Sequence, residues 1–185
     1  AGRSVAPYLP AELLLPPGVT VTADLAACRA PPVVMAATPA QALRGVLADL
    51  RPTGALVLCC KGVERGTGAL MTDVAAAAAP DAEVAILSGP NFAHEIARGL
   101  PAAATLAGPT LEAASDLATL LATPTFRLYP SQDRTGVALG GALKNVIAIA
   151  AGVVEGAGLG ENARAGVATR GLAEIARIAV ALGAD

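Results

Sequence analysis

Between residues 32 and 128 short apolar runs and helical segments take turns, and no other feature restricts the fold of this chain so strongly. Pro32 to Ala37, Ala55 to Cys60, Val84 to Leu87, Ala103 to Leu106 and Thr125 to Leu128 are each too short for a stable helix and are bounded by Pro, Gly or Thr-Pro. Such runs suit fully buried strands. The intervening segments, near Thr38–Leu50, Gly68–Ala79, Phe92–Arg98 and Leu111–Leu121, read as helices, with Thr38 as cap and Pro39 in the first turn of one of them. Alternation of this kind predicts a parallel α/β sheet wound right-handed at each crossover. Upstream, Ala1–Thr22 is proline-rich and reads as loop pinned by Tyr8, with a short extended piece at Val19–Val21, and Asp24 caps a short helix through Ala27.

From about Ser131 the pattern is helix only. One helix runs through Val137–Val154, Gly156–Gly160 breaks it, and a second extends from about Glu161 to Leu182. A boundary near Pro130–Arg134 therefore divides residues 1–130, an incomplete Rossmann-like parallel sheet, from residues 131–185, the start of an all-α domain. Gly156-Ala-Gly158-Leu-Gly160 mimics a dinucleotide fingerprint, but the third glycine falls on Glu161 and the preceding run is too long for a strand, so it reads as helix end and loop.

Composition narrows the function classes. The chain is 54% hydrophobic but only 2% aromatic, so its core is built from Ala, Val and Leu and its helices must approach closely. Thirteen basic and fifteen acidic residues, interspersed to a net charge of −2, offer no stripe for nucleic acid and no polybasic membrane anchor. No charge-free apolar stretch reaches the roughly 18 residues that cross a bilayer, and no signal peptide is visible, so a cytoplasmic protein without membrane insertion is expected. Cys28, Cys59 and Cys60 are odd in number and lack metal-ligand spacing; they read as reduced thiols, and no metal site is expected. A vicinal redox pair at Cys59–Cys60 is the alternative.

Three places carry candidate chemistry. Lys144 is the single charge in an apolar helix, and its neighbours at helical spacing, Gly140, Gly141, Ala148 and Ala151, are small. It would look out of a hollow, and burial there would depress its pKa and suit it to proton transfer. Equally, it snorkels to the surface from a core helix. Two interior glycines each cost roughly 1 kcal/mol against alanine, which predicts a close crossing or a ligand against the backbone. Lys61 directly follows a strand and precedes a glycine, at a sheet edge where an anion could sit, or it is an ordinary loop lysine. The Ser88-Gly89-Pro90 turn leads into a helix with Asn91 as natural N-cap and Glu95 in its first turns, either an anion-binding helix start or a plain capped junction. Lys61 and this turn follow neighbouring strands and should share one crevice. His94 lacks a triad partner and reads as structural or solvated; Arg164 and Arg170 read as surface charges or inter-domain ties.

Lys61-Gly62 after a strand, Leu87-Ser-Gly-Pro-Asn-Phe-Ala-His-Glu-Ile-Ala-Arg-Gly-Leu-Pro101, and Gly141-Ala-Leu-Lys-Asn-Val-Ile-Ala-Ile-Ala-Ala-Gly152 continuing to Thr169-Arg-Gly-Leu-Ala-Glu174 occur in that order. Together they closely resemble bacterial NAD(P)-dependent glycerol-3-phosphate dehydrogenase, over essentially all of Tyr8–Asp185. The resemblance implies a cytosolic oxidoreductase that interconverts dihydroxyacetone phosphate and sn-glycerol 3-phosphate with NAD or NADP, for phospholipid synthesis. It implies a nucleotide-binding domain followed by an all-helical domain for substrate and dimerisation, paired as a homodimer. Carried over by residue, Lys144 matches the general acid/base, and Lys61 a lysine shared by cofactor and substrate. Gly89 and Asn91 match substrate contacts, with Asn91 standing where Ser or Thr is more usual. Ala93 matches a cofactor contact, and Asn145 a second polar group beside the reacting centre. The family's Gly-rich fingerprint belongs to a first β-turn-α unit, which does not precede Tyr8 here, and its substrate-phosphate clamp follows later than Asp185. The 185-residue chain alone is therefore expected to be inactive. Two other readings stand beside this one: a non-catalytic remnant that associates through apolar surface, and a related two-domain reductase of another hydroxy acid.

Overall fold

The computed structural model describes residues 13–185; the reading of Tyr8 falls outside them. Asp24 accepts a hydrogen bond from the Ala26 amide and caps a one-turn 3-10 helix, Leu25–Cys28. Pro17 and Gly18 form a turn closed by the Val19 amide donating to Pro16 O, and Val19–Val21 pairs into no strand. Five strands follow: β1 (Val33–Ala36), β2 (Ala55–Leu58), β3 (Glu83–Ser88), β4 (Ala102–Ala107) and β5 (Phe126–Ser131). Between and after them run α1 (Leu43–Leu50), α2 (Met71–Ala78), α3 (Ala93–Ala97), α4 (Leu111–Leu121), α5 (Arg134–Gly156) and α6 (Gly160–Ala181).

The strands form one sheet in the order β1-β2-β3-β4-β5. β1, β2 and β3 are mutually parallel, and so are β4 and β5, but β3 and β4 are antiparallel. The expectation of a parallel crossover everywhere thus fails at one place, and the reason is length. α3 has 5 residues and rises only about 7.5 Å, whereas returning past a 6-residue strand needs about 20 Å. α3 is thus too short to serve as a crossover helix, and the chain turns back on itself between Ser88 and Ala102.

Two further local expectations are corrected. Thr38 does not cap the helix before Leu50: Pro39 precedes a single 3-10 turn, Ala40–Ala42, that leads into α1, and Thr38 Oγ1 is buried without a hydrogen-bond partner. Nor does Asn91 cap α3. Phe92 holds that position without a side-chain bond, and Asn91 Oδ1 is likewise buried and unpartnered.

Strand alternation splits the core in two. Leu56, Leu58, Cys60, Val84 and Ile86 face α1 and α2, with Ala138 of α5 joining the same cluster. Val57, Ala85, Leu87, Leu106 and Leu128 face Ala114 and Ala118 of α4. Cys59 packs with the second cluster and Cys60 belongs to the first, so the two thiols lie on opposite faces of the sheet and do not form a vicinal pair. α4 is capped by Thr110, whose hydroxyl accepts from the Ala113 amide. α5 is capped by Asp133, which accepts from the Gly136 amide at 2.8 Å. Gly171 of α6 abuts the Ile147 side chain, which a Cβ there would strike, so the last two helices cross closely as the small-residue composition requires. The Gly156–Gly160 segment is the junction between these helices.

α5 is the one helix among the described residues long and apolar enough to cross a bilayer, by length and composition, with mean hydropathy 1.9. It carries Lys144 mid-length and packs on α6 and β3.

Candidate active site

The carboxyl end of β3 meets the first turns of α5 around a cleft of about 420 Å³. Its floor is Ser88, Gly89 and Pro90, with Thr105 of the adjoining strand; its far wall is Val137, Gly140, Gly141 and Lys144 of α5, with Asp133 and Gly136 at the helix start. Thr105 sits there because the antiparallel register sets it opposite Ser88.

Glycines make this approach possible. A Cβ on Gly89 would lie 2.8 Å from Ala103 O and 2.9 Å from Ala104 Cα, so the turn can only press against β4 without a side chain. A Cβ on Gly141 would lie 2.6 Å from Ser88 Oγ and 3.5 Å from Lys61 Cγ. A Cβ on Gly140, by contrast, would meet nothing within 4 Å. The two helix glycines therefore divide the work expected of them: Gly141 is the close crossing onto the sheet, and Gly140 leaves bare backbone facing the cleft. Gly136 admits the Asp133 carboxylate, which a Cβ at that position would displace.

Lys144 lines the cleft as its spacing suggests, but it is exposed, so the burial expected of it is not present among the described residues. Lys61 is half-buried and does not line the cleft itself; its stem lies behind Gly141, beside Ser88. Gly89 is in the lining. Asn91 follows the Gly89-Pro90 floor, its amide donating to Gly89 O at 3.0 Å, and its orphaned Oδ1 is an acceptor ready for a donor. Ala93 begins α3 and is exposed, and Asn145 is exposed outside the cleft lining. The structure thus gathers Gly89 and Lys144 with Lys61 close behind, and leaves Ala93 and Asn145 apart from the cleft. Sequence reasoning missed Thr105 and Asp133. Asp133 could have been found from the cap position before the α5 run; nothing local marks Thr105.

Two places near the cleft carry shifted groups. Burial pushes the Cys59 and Cys60 thiols up, against the opposing pull of the Lys61 ammonium. Glu64, a few residues after Lys61, is held down at about 2 by hydrogen bonds from Arg44 and Thr67. His94 is exposed, its ring tilted at 47° to that of Phe92 with centroids 5.9 Å apart. Arg164 and Arg170 pair within their own helix, with Glu161 and Glu174, so they are surface charges.

Comparison with known proteins agrees with this arrangement. A family model described as NAD-dependent glycerol-3-phosphate dehydrogenase N-terminus matches residues 3–114, and the corresponding C-terminus model matches residues 133–185. A protein of Novosphingobium aromaticivorans named glycerol-3-phosphate dehydrogenase [NAD(P)+] is 55% identical over 184 residues, covering 98% of this chain and 55% of the relative. One of the same name from Rhodospirillum rubrum is 54% identical, covering 92% of this chain and 50% of the relative. The crystal structure of glycerol-3-phosphate dehydrogenase from Coxiella burnetii superposes with a TM-score of 0.86 at 31% identity, covering 94% of this chain and 55% of that one. The chain spans about half the length of the curated relatives it matches. With both family models in chain order and the sheet-to-helix cleft where they adjoin, the chain belongs to the NAD-dependent glycerol-3-phosphate dehydrogenase family.

Proposed function

We propose that this chain is the central portion of an enzyme that reversibly reduces dihydroxyacetone phosphate to sn-glycerol 3-phosphate, supplying glycerophospholipid synthesis in the cytoplasm. The observation that carries the reading is the cleft itself: an ammonium, Lys144, faces a glycine-built floor at the carboxyl end of β3, where open α/β sheets bind ligands. Residues up to about 130 are the remainder of the nucleotide-binding domain, and 131–185 begin the helical domain for substrate and pairing.

The donor set suits an anionic, hydroxyl-bearing ligand. Asn91 Oδ1 supplies an unused buried acceptor, and Gly140 bares backbone to the cleft. Lys61 and the backbone at Ala93 would hold a nicotinamide cofactor, NAD or NADP, which when bound supplies the hydride. Lys144 then gives a proton to the carbonyl oxygen as it becomes an alkoxide, and takes it back in the reverse direction. Lys61, reaching in from behind Gly141, stabilises the charge that develops at that oxygen. Gly89 and Asn91 orient the substrate, and Asn145 provides a second polar group once the rest of the helical domain closes over it. Because Lys144 is exposed in this portion, that closure is also what would desolvate it.

The test is a version extended at both ends, assayed with dihydroxyacetone phosphate and NADH or NADPH. Lys144→Ala should lower kcat by about 10²–10⁴-fold; unchanged turnover removes Lys144 from the reaction. Profiling other keto and hydroxy acids on the same protein decides between this substrate and the reading as a related reductase.

A further inference from the structure

The loop that follows Lys61 is locked to α1 by an unusually complete set of side-chain contacts. Gln41 Nε2 donates to Val63 O at 2.8 Å, and the Arg65 amide donates to Gln41 Oε1 at 2.9 Å, so one amide side chain clamps both directions of the loop backbone. Arg44 donates through Nε and Nη2 to the two oxygens of Glu64, at 2.7 and 2.9 Å. Thr67 Oγ1 donates to Glu64 Oε2 at 2.7 Å, and the Glu64 and Gly68 amides close the loop on Ala69 O and Glu64 O.

The backbone here is not self-supporting. Gly62, Gly66 and Gly68 all have positive φ, at 141°, 86° and 72°, so the loop is made of the residues with the most freedom to lose. A bidentate arginine fork and a two-way amide clamp fix direction as well as distance, which a single ion pair would not. Gln41 and Arg44 stand just after the carboxyl end of β1, while Val63 and Glu64 stand just after that of β2. The contacts therefore hold together the two strand ends next to Lys61, whose Cγ lies 3.5 Å from where a Cβ on Gly141 of α5 would stand.

We propose that Gln41, Arg44 and Glu64 form a latch that sets the position of Lys61 relative to the α5 wall, and that they are positioning residues for the reaction. This rests on the function proposed above, since it assigns Lys61 to the cofactor and the developing charge. None of the three lines the cleft, so they act through the loop and not on substrate. Displacing the loop should weaken cofactor binding more than it slows proton transfer, which depends on Lys144 on a different element.

Two measurements separate this idea from the function it rests on. In the 185-residue chain, Lys61 acylation by an N-hydroxysuccinimide ester and hydrogen exchange of the 62–70 amides are followed for Gln41→Ala, Glu64→Gln and the conservative Arg44→Lys. In the extended enzyme, KM for NADH and NADPH and kcat are measured for the same variants. Gln41→Ala and Glu64→Gln should speed exchange, change the Lys61 acylation rate, and raise the cofactor KM about tenfold with kcat changed less; Arg44→Lys, which leaves a single ion pair in place of the fork, should shift both in the same direction by less. Unchanged Lys61 acylation with unchanged exchange overturns the latch whether or not the enzyme is active. So does an active enzyme whose cofactor KM is the same in Gln41→Ala as in the parent, or one in which kcat alone falls. An extended protein inactive toward dihydroxyacetone phosphate defeats the proposed function, and the latch is then decided by the acylation and exchange results.

Discussion

Two glycines in or beside the cleft, Gly89 and Gly140, look alike in the sequence and behave oppositely in the structure. Gly89→Ala would press a methyl group between Ala103 O and Ala104 Cα, both backbone atoms that cannot rotate away. It should destabilise the fold by about 1–3 kcal/mol, as overpacking does, seen as a lower midpoint in urea with the slope unchanged. Gly140→Ala meets nothing within 4 Å and removes a flexible residue from a helix interior. It should raise stability by up to about 1 kcal/mol while lowering activity of the extended enzyme, because the new methyl occupies the wall next to Lys144. Equal destabilisation by the two substitutions would contradict this assignment of their backbones. Asn91 makes the same point in another way: as a residue type it is a natural cap, and only the placement of Phe92 at the helix start frees its oxygen for something else.

At the level of elements, the β2–α2 loop and α1 are joined by a carboxylate whose protonation is easily followed. Glu64 sits at about 2, below its ordinary 4.5, chiefly through the hydrogen bond from Arg44 and next through that from Thr67. A carboxylate held low in the folded state stabilises it fully above 4.5, and that contribution is lost as pH falls from 4.5 through about 2. Thermal melts should therefore show the parent losing more stability than Glu64→Gln across this window, the two converging at its lower end. Parallel curves would mean that the ion pair adds nothing in solution, as often happens for exposed pairs. α3 sits where the topology changes: with 5 residues it does not act as a crossover helix, and the sheet turns antiparallel there.

At the scale of the molecule, the last two helices leave apolar side chains exposed. Val146, Ile149 and Val153 of α5 and Leu172 and Val180 of α6 are each more than half exposed, on helices that otherwise pack on each other and on the sheet. A patch of this kind seeks a partner. The homodimer proposed for the extended protein would draw on it, and the 185-residue chain should already show concentration-dependent association in sedimentation. A chain that remains monomeric at high micromolar concentration would argue that the rest of the helical domain, and not a second copy, covers this face.

The sequence by itself determined the five strands to within three residues, the helices between them and the switch to helix alone after β5. These follow from the local period and from Pro and Gly punctuation, which act over a few residues. It also singled out the candidate groups, because Lys61, the Ser88-Gly89-Pro90 turn and Lys144 each sit in a motif readable on its own. Only the tertiary structure decided that β4 runs antiparallel to β3, bringing Thr105 opposite Ser88, and that Gly141 rather than Gly140 makes the crossing onto the sheet. It also decided the exposure of Lys144 and the latch that joins Gln41 and Arg44 to Val63 and Glu64. Each of these depends on where residues far apart in the chain come to rest, and a distance of that kind is set by strand pairing and close packing, which no local pattern encodes.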